Sequence, residues 1–180
     1  MLKGKVLVTP RLILRPIEEK DAQELYNILS DEETTRFLTL PIYESIENAN
    51  AWIAKCVETE GEGTHFYRAI ELKETGALIG GIGVELDADN NSGELGFYLN
   101  RDFWRQGFMS EAVEEMIRFL LLEEGINRIS ACHSVRNPAS GGVMRKAGMS
   151  YEGMARELRR NRLGYQDCHR YAILKSDLAR

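Results

Sequence analysis

The order in which the hydrophobic period changes between residues 66 and 147 constrains the fold of this chain more than any other feature. The predicted elements are three strands, a helix, a strand and a helix, at residues 66–72, 77–86, 94–99, 109–124, 128–134 and 138–147. Strands joined by tight turns pair antiparallel, whereas a helical crossover allows the next strand to pair in parallel. We therefore predict an α/β fold with a mixed sheet that begins antiparallel and then gains a parallel pair.

Further elements are predicted on both sides of this region. They are strands at 11–15, 149–155 and 166–174 and amphipathic helices at 22–30 and 46–60. Asp21 and Ser45 are the predicted N-caps of the two helices, and Gly61 and Gly63 are expected to end the second. No repeat, low-complexity run or linker divides the 180 residues. We therefore expect one domain over residues 1–180.

Charge and hydropathy narrow the classes of function. The chain has 23 basic and 28 acidic residues, a net charge of −5, whereas proteins that bind a phosphate backbone usually carry a basic surplus. No nucleic-acid partner is therefore predicted. The longest apolar run, at 119–122, is far too short to cross a bilayer, and the first residues lack the apolar stretch of a secretory signal. We expect a cytoplasmic protein with no membrane partner.

The three cysteines, Cys56, Cys132 and Cys168, are odd in number and have no short paired spacing. Neither a disulfide framework nor a zinc site follows from such a pattern, and reduced, mostly buried thiols are expected. No metal is predicted. Cys168 and His169 are adjacent on a predicted strand, where neighbouring side chains face opposite ways, so they are not expected to act as a catalytic pair.

Two loops that lead into helices are candidate ligand-binding segments. The first, 104–112 (WRQGFMSEA), ends in a helix start whose amides lack internal partners and carry the positive end of the helix dipole, which suits a phosphate group. The second, 137–140 (NPAS), also fits an ordinary helix cap at Asn137 followed by a first-turn proline. Each loop alone is as well explained by helix initiation. Together they leave the carboxyl ends of neighbouring parallel strands, where open α/β sheets hold ligands.

These residues resemble the GNAT superfamily of acyl-CoA-dependent N-acyltransferases, and more narrowly the branch that contains the bacterial ribosomal-protein-alanine N-acetyltransferases. The similar segments occur in family order over nearly the whole chain. They are 9–16 (TPRLILRP), 94–99 (ELGFYL), 104–112, 137–140, 146–149 (KAGM), Asp167 and 171–174 (YAIL). The resemblance implies a GNAT fold, with a mixed, mostly antiparallel sheet, a splayed parallel strand pair and helices on both faces.

The resemblance also implies that acetyl-CoA is a co-substrate. In the family, the strand matching 94–99 carries a bulge and separates from the strand matching 128–134, and the peptide-like pantetheine arm adds to the exposed edge. The pyrophosphate is expected on the amides of 105–110, the arm on Asn137, and the sulfur near Ser140. The cofactor-binding residues predicted in this way are Phe97, Tyr98, Leu99, Arg105, Gln106, Gly107, Phe108, Met109, Ser110, Asn137, Ser140 and Lys146.

The sequence departs from the family pattern at two places. In the phosphate loop, Trp104 and Met109 stand where the family usually has Gln or Arg and Gly or Ala, and Arg105 stands at a position often held by Gly. The tyrosine that many members use as general acid falls at Met144, and a thioether donates no proton. Ser140 is the best remaining donor to the leaving thiolate, which is also a tolerable leaving group without help.

The acceptor implied by the family is a primary amine, either a protein N-terminus or a small molecule. An α-amine with a pKa near 8 reaches its neutral form for about 3 kcal/mol less than a lysine side chain near 10.4. A site without a strong base therefore favours α-amines or uses a carboxylate through water. Glu94 is the candidate carboxylate, although an exposed strand residue explains it equally well. Glu111 is expected to complement the helix dipole instead.

Direct transfer of acetyl to an amine, with Ser140 and Glu94 as catalytic residues, is thus the predicted activity. The alternative is a non-catalytic module that senses CoA on the same fold, and a structural protein without ligand is a third hypothesis. His133 is interpreted as structural. The basic hairpin formed by Arg156, Arg159, Arg160 and Arg162 is interpreted mainly as a solvated face, and the alternative is that it guides an acidic protein surface or the cofactor phosphate. Family members are often dimers, so a homodimer is compatible with the resemblance.

Overall fold

A computed structural model describes residues 2–178 and contains a mixed sheet of eight strands. The strands are β1 (Leu7–Val8), β2 (Leu12–Arg15), β3 (His65–Leu72), β4 (Leu78–Asp87), β5 (Ser92–Leu99), β6 (Arg128–Ser134), β7 (Ser150–Asn161) and β8 (Gly164–Leu174). Their order is β1-β2-β3-β4-β5-β6-β8-β7. In the described sheet, every neighbouring pair is antiparallel except β5–β6. The predicted fold class is confirmed.

Helices cover both faces of this sheet. They are α1 (Ala22–Leu29), α2 (Glu32–Thr35), α3 (Ile46–Glu62), α4 (Phe108–Arg118) and α5 (Pro138–Lys146). Alternate side chains of β3 belong to opposite layers, because successive strand residues point to opposite faces. Phe66 and Ile70 pack with α4 in one core cluster, whereas Tyr67 and Ala69 pack with α1 and α3 in the other. Two apolar layers therefore stabilise the sheet.

Two helix ends differ from the sequence prediction. Gly61 lies inside α3, and the helix ends at Gly63 alone, which adopts the left-handed conformation (φ 75°). The helix predicted over 109–124 is α-helical only to Arg118 and continues as a π-helical turn over Phe119–Glu123. Phe119, Leu120 and Leu121 are all buried there, and the wider turn lets three consecutive side chains pack on the core.

The parallel pair separates half-way along its length. β5 and β6 are paired from Ser92↔Arg128 to Leu95↔Ala131. Beyond that point β5 continues only beside β4, as far as Leu99, and β6 only beside β8, as far as Ser134. Each strand follows its antiparallel neighbour, so the sheet forks. The bulge expected in β5 does not occur in its pairing with β4, which is in continuous register, but the predicted splay is confirmed.

The tail hairpin of β7 and β8 is longer than predicted and reaches the mouth of this fork. Its register shifts twice, between Tyr151 and Gly153 and between Ala155 and Arg159. In the second irregular segment, Glu157 has a left-handed backbone (φ 50°). Along residues 2–178, no helix combines the length and the apolar content that a membrane span requires.

Candidate functional site

A cavity of about 430 Å³ lies at the fork between β5 and β6. Tyr67 and Tyr98, which line it, belong to the core layer of α1 and α3, whereas Leu95 and Met144 belong to the layer of α4 and α5. The cavity therefore passes through the sheet where the two strands separate. Two molecules can therefore meet in the cavity, one entering from each face of the sheet.

The loop before α4 is exposed at Arg105 and Gln106 and ends at the start of the helix. Its N-cap is Gly107, in the left-handed conformation (φ 82°), and no side chain in the described part of the chain caps this helix end. Arg105 is also left-handed (φ 61°), a conformation that costs a non-glycine residue roughly 1–2 kcal/mol. This geometry explains why a glycine is common at the position. The first amides of α4 have no intrahelical acceptor, which makes the loop suitable for an anion.

A network centred on Glu111 ties this loop to the N-terminal segment. The Glu111 carboxylate accepts hydrogen bonds from the Thr9 hydroxyl (2.5 Å), the Arg11 amide (2.9 Å) and the Arg11 Nε (2.7 Å). Arg11 also donates to the carbonyl of Gln106 (2.9 Å), and its guanidinium lies 4.3 Å from the centre of the Phe108 ring. Burial alone would raise the pKa of Glu111, but these hydrogen bonds outweigh it and lower the pKa. Glu111 thus holds the loop in addition to complementing the helix dipole.

The start of α5 lines the cavity. Asn137 caps the helix, because its side-chain oxygen accepts from the Ser140 amide at 3.4 Å. The main-chain nitrogen of Asn137 donates to the carbonyl of Ser134 at 2.7 Å, whereas the described residues supply no acceptor for its side-chain nitrogen Nδ2, which is able to donate to a ligand. Ser140 is half-buried and lines the cavity, and the buried Met144 lines it one helical turn further on.

His133 packs against the start of α5 and is 7% exposed. Its Nδ1 bonds to the carbonyl of Ser134 at 2.8 Å, and its ring stacks on Tyr171 with the ring centres 5.7 Å apart. Burial lowers the pKa of His133, with smaller contributions from His169 and Arg145. These contacts support the structural role expected of this histidine.

Glu94 and Arg159 form an ion pair across the cavity. Arg159 Nη2 contacts Glu94 Oε1, both side chains are about 40% exposed, and the Cys132 thiol lies 3.7 Å from the same carboxylate oxygen. The hydrogen bond to Glu94 raises the pKa of Arg159. Glu94 lies at the last stretch of paired strand, one residue before the fork. The predicted carboxylate therefore faces the cavity, with an arginine as its partner.

Two tyrosines form the floor of the cavity on the α1 and α3 side. The hydroxyls of Tyr67 and Tyr98 lie 2.5 Å apart, and burial raises the pKa of both. They come from β3 and β5 and meet across β4, where a Cβ at Gly81 would overlap the Tyr67 hydroxyl. The remaining wall on this side is mainly apolar, and the residues that form it include Phe37, Leu38, Leu40 and Trp52.

The structure brings some of the predicted residues together and leaves others apart. Those that line the cavity are Glu94, Phe97, Tyr98, Asn137 and Ser140. Leu99 packs in the core beyond the fork, the residues of 105–110 surround the start of α4, and Lys146 is exposed at the end of α5. The unpaired edge of β5 presents main-chain groups to the cavity. The described residues contain no group of three or more His, Cys, Asp or Glu placed to hold a metal ion.

The cavity residues that sequence reasoning missed include Tyr67, Trp52 and Arg159. The glycines at 80, 81 and 83 inside β4 were a usable signal, because glycine within a strand marks a close approach by another group. Arg159 gave no comparable signal among the other arginines of its hairpin. The expected separation of Cys168 from His169 is confirmed: Cys168 lines the cavity, burial raises its pKa to about 11, and His169 packs beside His133.

Comparisons with known proteins agree with this geometry. The family model described as "Acetyltransferase (GNAT) domain" matches residues 11–150. The chain is 32% identical over 171 residues to the "Uncharacterized N-acetyltransferase YoaA" of Bacillus subtilis, covering 94% of this chain and 97% of that protein. It is 24% identical to the [ribosomal protein uS5]-alanine N-acetyltransferase of Escherichia coli, over 84% of this chain and 81% of that one.

A solved structure of RimL, a ribosomal L7/L12 α-N-protein acetyltransferase in complex with coenzyme A, has the same fold. It superimposes with a TM-score of 0.85 at 20% sequence identity and covers 94% of this chain and 98% of its own.

Proposed function

Because this chain belongs to the GNAT acetyltransferase family, we propose that it transfers the acetyl group of acetyl-CoA to a primary amine by direct attack. The family membership makes the protein an acyltransferase, and the relatives named above confirm the resemblance to the ribosomal-protein-alanine branch. The acceptor in this proposal is an α-amine, of a protein N-terminus or of a small molecule. The reaction needs no covalent acetyl-enzyme intermediate.

The observation that carries this proposal is the fork between β5 and β6 and the cavity that passes through it. The pantetheine arm of acetyl-CoA contains two amide groups, which can pair with the free main-chain groups of β5 as a short added strand. Its pyrophosphate then reaches the amides at the start of α4, where the Arg11–Glu111 network holds the loop. The acetyl thioester is directed into the cavity, beside Ser140.

The chemistry assigned to this chain's residues is proton transfer and positioning. Acetyl-CoA supplies an acyl group activated as a thioester. Glu94 accepts a proton from the ammonium group of the acceptor, through water, so that the neutral nitrogen attacks the thioester carbonyl. The new C–N bond forms as the C–S bond breaks, and Ser140 donates its hydroxyl proton to the leaving sulfur. The product nitrogen then gives up its second proton to restore the Ser140 hydroxyl, and Glu94 releases its proton to solvent. Asn137 donates a hydrogen bond from its side-chain nitrogen to acetyl-CoA and fixes how far the cofactor enters the cavity.

An α-amine is the acceptor that the arrangement favours. Reaching the neutral form is less costly for an α-amine than for a lysine side chain, and the partly exposed Glu94 is the carboxylate proposed to accept the proton. The relative named as a [ribosomal protein uS5]-alanine N-acetyltransferase gives a precedent within the family. Both considerations support α-amines over lysine side chains.

Titration and turnover together test the proposal. Isothermal titration of the protein with acetyl-CoA is expected to give saturable heat at micromolar to millimolar ligand. Release of free CoA thiol, followed with a panel of α-amines, is then expected to depend on both substrates. Absence of any binding heat at millimolar acetyl-CoA would refute the proposal. Binding without thiol release by any amine would favour the CoA-sensing module instead.

A further inference from the structure

The pairing of Glu94 with Arg159 is unusual for a carboxylate that accepts a proton from an amine. The guanidinium occupies Oε1, the oxygen that faces the cavity beside Cys132. An acceptor that carries only a positive charge brings a second cation to this carboxylate, beside the guanidinium of Arg159. Such an arrangement is unfavourable, since like charges repel.

The backbone of β7 is shaped so that Arg159 reaches the cavity. Ala155 pairs with Cys168, but the next paired residue is Arg159, with Gln166, so that three residues of β7 stand opposite a single residue of β8. Glu157, at the centre of this bulge, takes a left-handed backbone (φ 50°), and its amide donates to the Asp167 carboxylate at 2.8 Å. Bulges near functional sites re-aim side chains, and a strained backbone persists only where its surroundings enforce it.

The neighbouring arginines have other environments. Arg160 lies over the ring of Tyr165, with 5.6 Å between the guanidinium carbon and the ring centre, and is exposed. Arg162 donates to the main-chain carbonyl of Glu32 at 2.9 Å. Of these three arginines only Arg159 lines the cavity. The bulge thus selects one guanidinium for the site.

We propose that the acceptor is a zwitterion, an amine that carries a carboxylate near the reacting nitrogen, and that its body is apolar. This inference rests on the proposed function and names its substrate class. The acceptor's ammonium group replaces Arg159 at Glu94, and its carboxylate replaces Glu94 at Arg159. Guanidinium binds a carboxylate through two parallel hydrogen bonds, which fixes the amine with respect to the cavity. Both charges of the enzyme remain paired throughout.

The walls of the cavity match an apolar body. Phe37, Leu38, Leu40 and Trp52 lie on the acceptor side, and the two hydroxyls of the floor already bond to each other. Thr39, Lys55, Thr59 and His65 also line the cavity, and the buried Trp52 Nε1 has no hydrogen-bond partner among the described residues, so a few polar groups are present. Most of the wall is apolar, and an aliphatic or aromatic side chain is accommodated there. A free amino acid with an apolar side chain, such as leucine or phenylalanine, combines all of these features.

The test compares each amino acid with its own amide. L-Phenylalanine and L-phenylalaninamide, and the corresponding leucine pair, have the same body and differ in the carboxylate. The amide has the less basic amine, so without carboxylate recognition it reacts faster because more of it is neutral. We expect the opposite: kcat/KM at least about tenfold higher for the acid. Equal rates, or a faster amide, would overturn the inference and leave the acetyltransferase proposal standing.

Variants of Arg159 test whether its guanidinium recognises the carboxylate of the acceptor. Arg159→Gln is expected to abolish the preference for the acid and Arg159→Lys to retain part of it, whereas the control Arg160→Gln leaves the acid-to-amide ratio unchanged. A purely positioning role for Arg159 would lower the rates for acid and amide by the same factor, which would contradict the inference. Calorimetric binding of L-phenylalanine in the presence of CoA, lost in Arg159→Gln, gives a readout independent of turnover. If no amine is acetylated, the proposed function fails, and this binding difference still decides whether the site recognises the zwitterion.

Discussion

The hydroxyl groups of Tyr67 and Tyr98 lie 2.5 Å apart beneath the fork of the sheet, although their strands are separated by β4. Gly83 is opposite Tyr67 and Gly81 is opposite Tyr98, so β4 carries no side chain that would hold the rings apart. Each buried hydroxyl is satisfied by the other. This pair forms the floor of the cavity and links β3 to β5.

Removal of both hydroxyls is expected to cost less than the sum of the two single removals. Tyr98→Phe leaves the buried Tyr67 hydroxyl without its partner, which we expect to lower the free energy of unfolding by about 1–3 kcal/mol. The double variant with Tyr67→Phe leaves no orphaned group, so its loss is expected to be smaller than the sum of the two single losses. Urea denaturation of all four proteins measures this coupling. Strictly additive losses would show that the two hydroxyls do not interact.

Adjacent glycines of α5 are expected to respond to alanine in opposite directions. A Cβ at Gly141 would lie 2.9 Å from Cε1 of the buried His133 ring, whereas a Cβ at Gly142 meets nothing within 4 Å. Gly141→Ala is therefore expected to destabilise the protein by about 1–3 kcal/mol through overpacking. Gly142→Ala is expected to stabilise it by about 0.5–1 kcal/mol, because alanine loses less conformational entropy in a helix. Thermal unfolding of the two variants provides the comparison, and equal effects would contradict it.

Replacement of Ser140 separates its chemical role from binding. Ser140→Ala is expected to reduce the single-turnover rate by at least about tenfold, since positioned acids commonly contribute about 10²-fold or more. The affinity for acetyl-CoA, measured by calorimetry, is expected to change by less than about threefold. Ser140→Thr keeps a hydroxyl and is the matched control, with a partly restored rate. An unchanged rate in Ser140→Ala would exclude this residue as the acid.

Glu111 is expected to make stability depend on acid pH. Its pKa is lowered in the folded protein, because hydrogen bonds from Thr9 and Arg11 outweigh burial, so protonation favours unfolding. The contribution is complete above the ordinary glutamate pKa of about 4.3 and is lost as the pH falls through the lower folded value. The stability difference between wild type and Glu111→Gln should therefore be largest near neutral pH and shrink below about pH 4. Glu114→Gln, at an exposed carboxylate of the same helix, is the control, and a difference independent of pH would refute the assignment.

Much of the framework could be predicted from local sequence. The strand at β6 was predicted with its observed bounds, Asp21 and Ser45 precede helices as expected, and Gly107 and Asn137 are the N-cap residues of α4 and α5. These features depend on residues a few positions apart, through hydrophobic period, capping and the conformational freedom of glycine. The fork was predicted from the family resemblance. In the structure it arises because β5 stays paired with β4 and β6 stays paired with β8.

The sequence alone determined which segments form strands and helices, and where two ligand-binding loops begin. Only the tertiary structure decided which side chains share the cavity. Arg159 meets Glu94 because a bulge in β7 turns it inward, and Tyr67 meets Tyr98 because the strands' register places glycines between them. Both contacts join residues far apart in the chain, and their geometry is set by strand pairing and register, which local patterns do not encode.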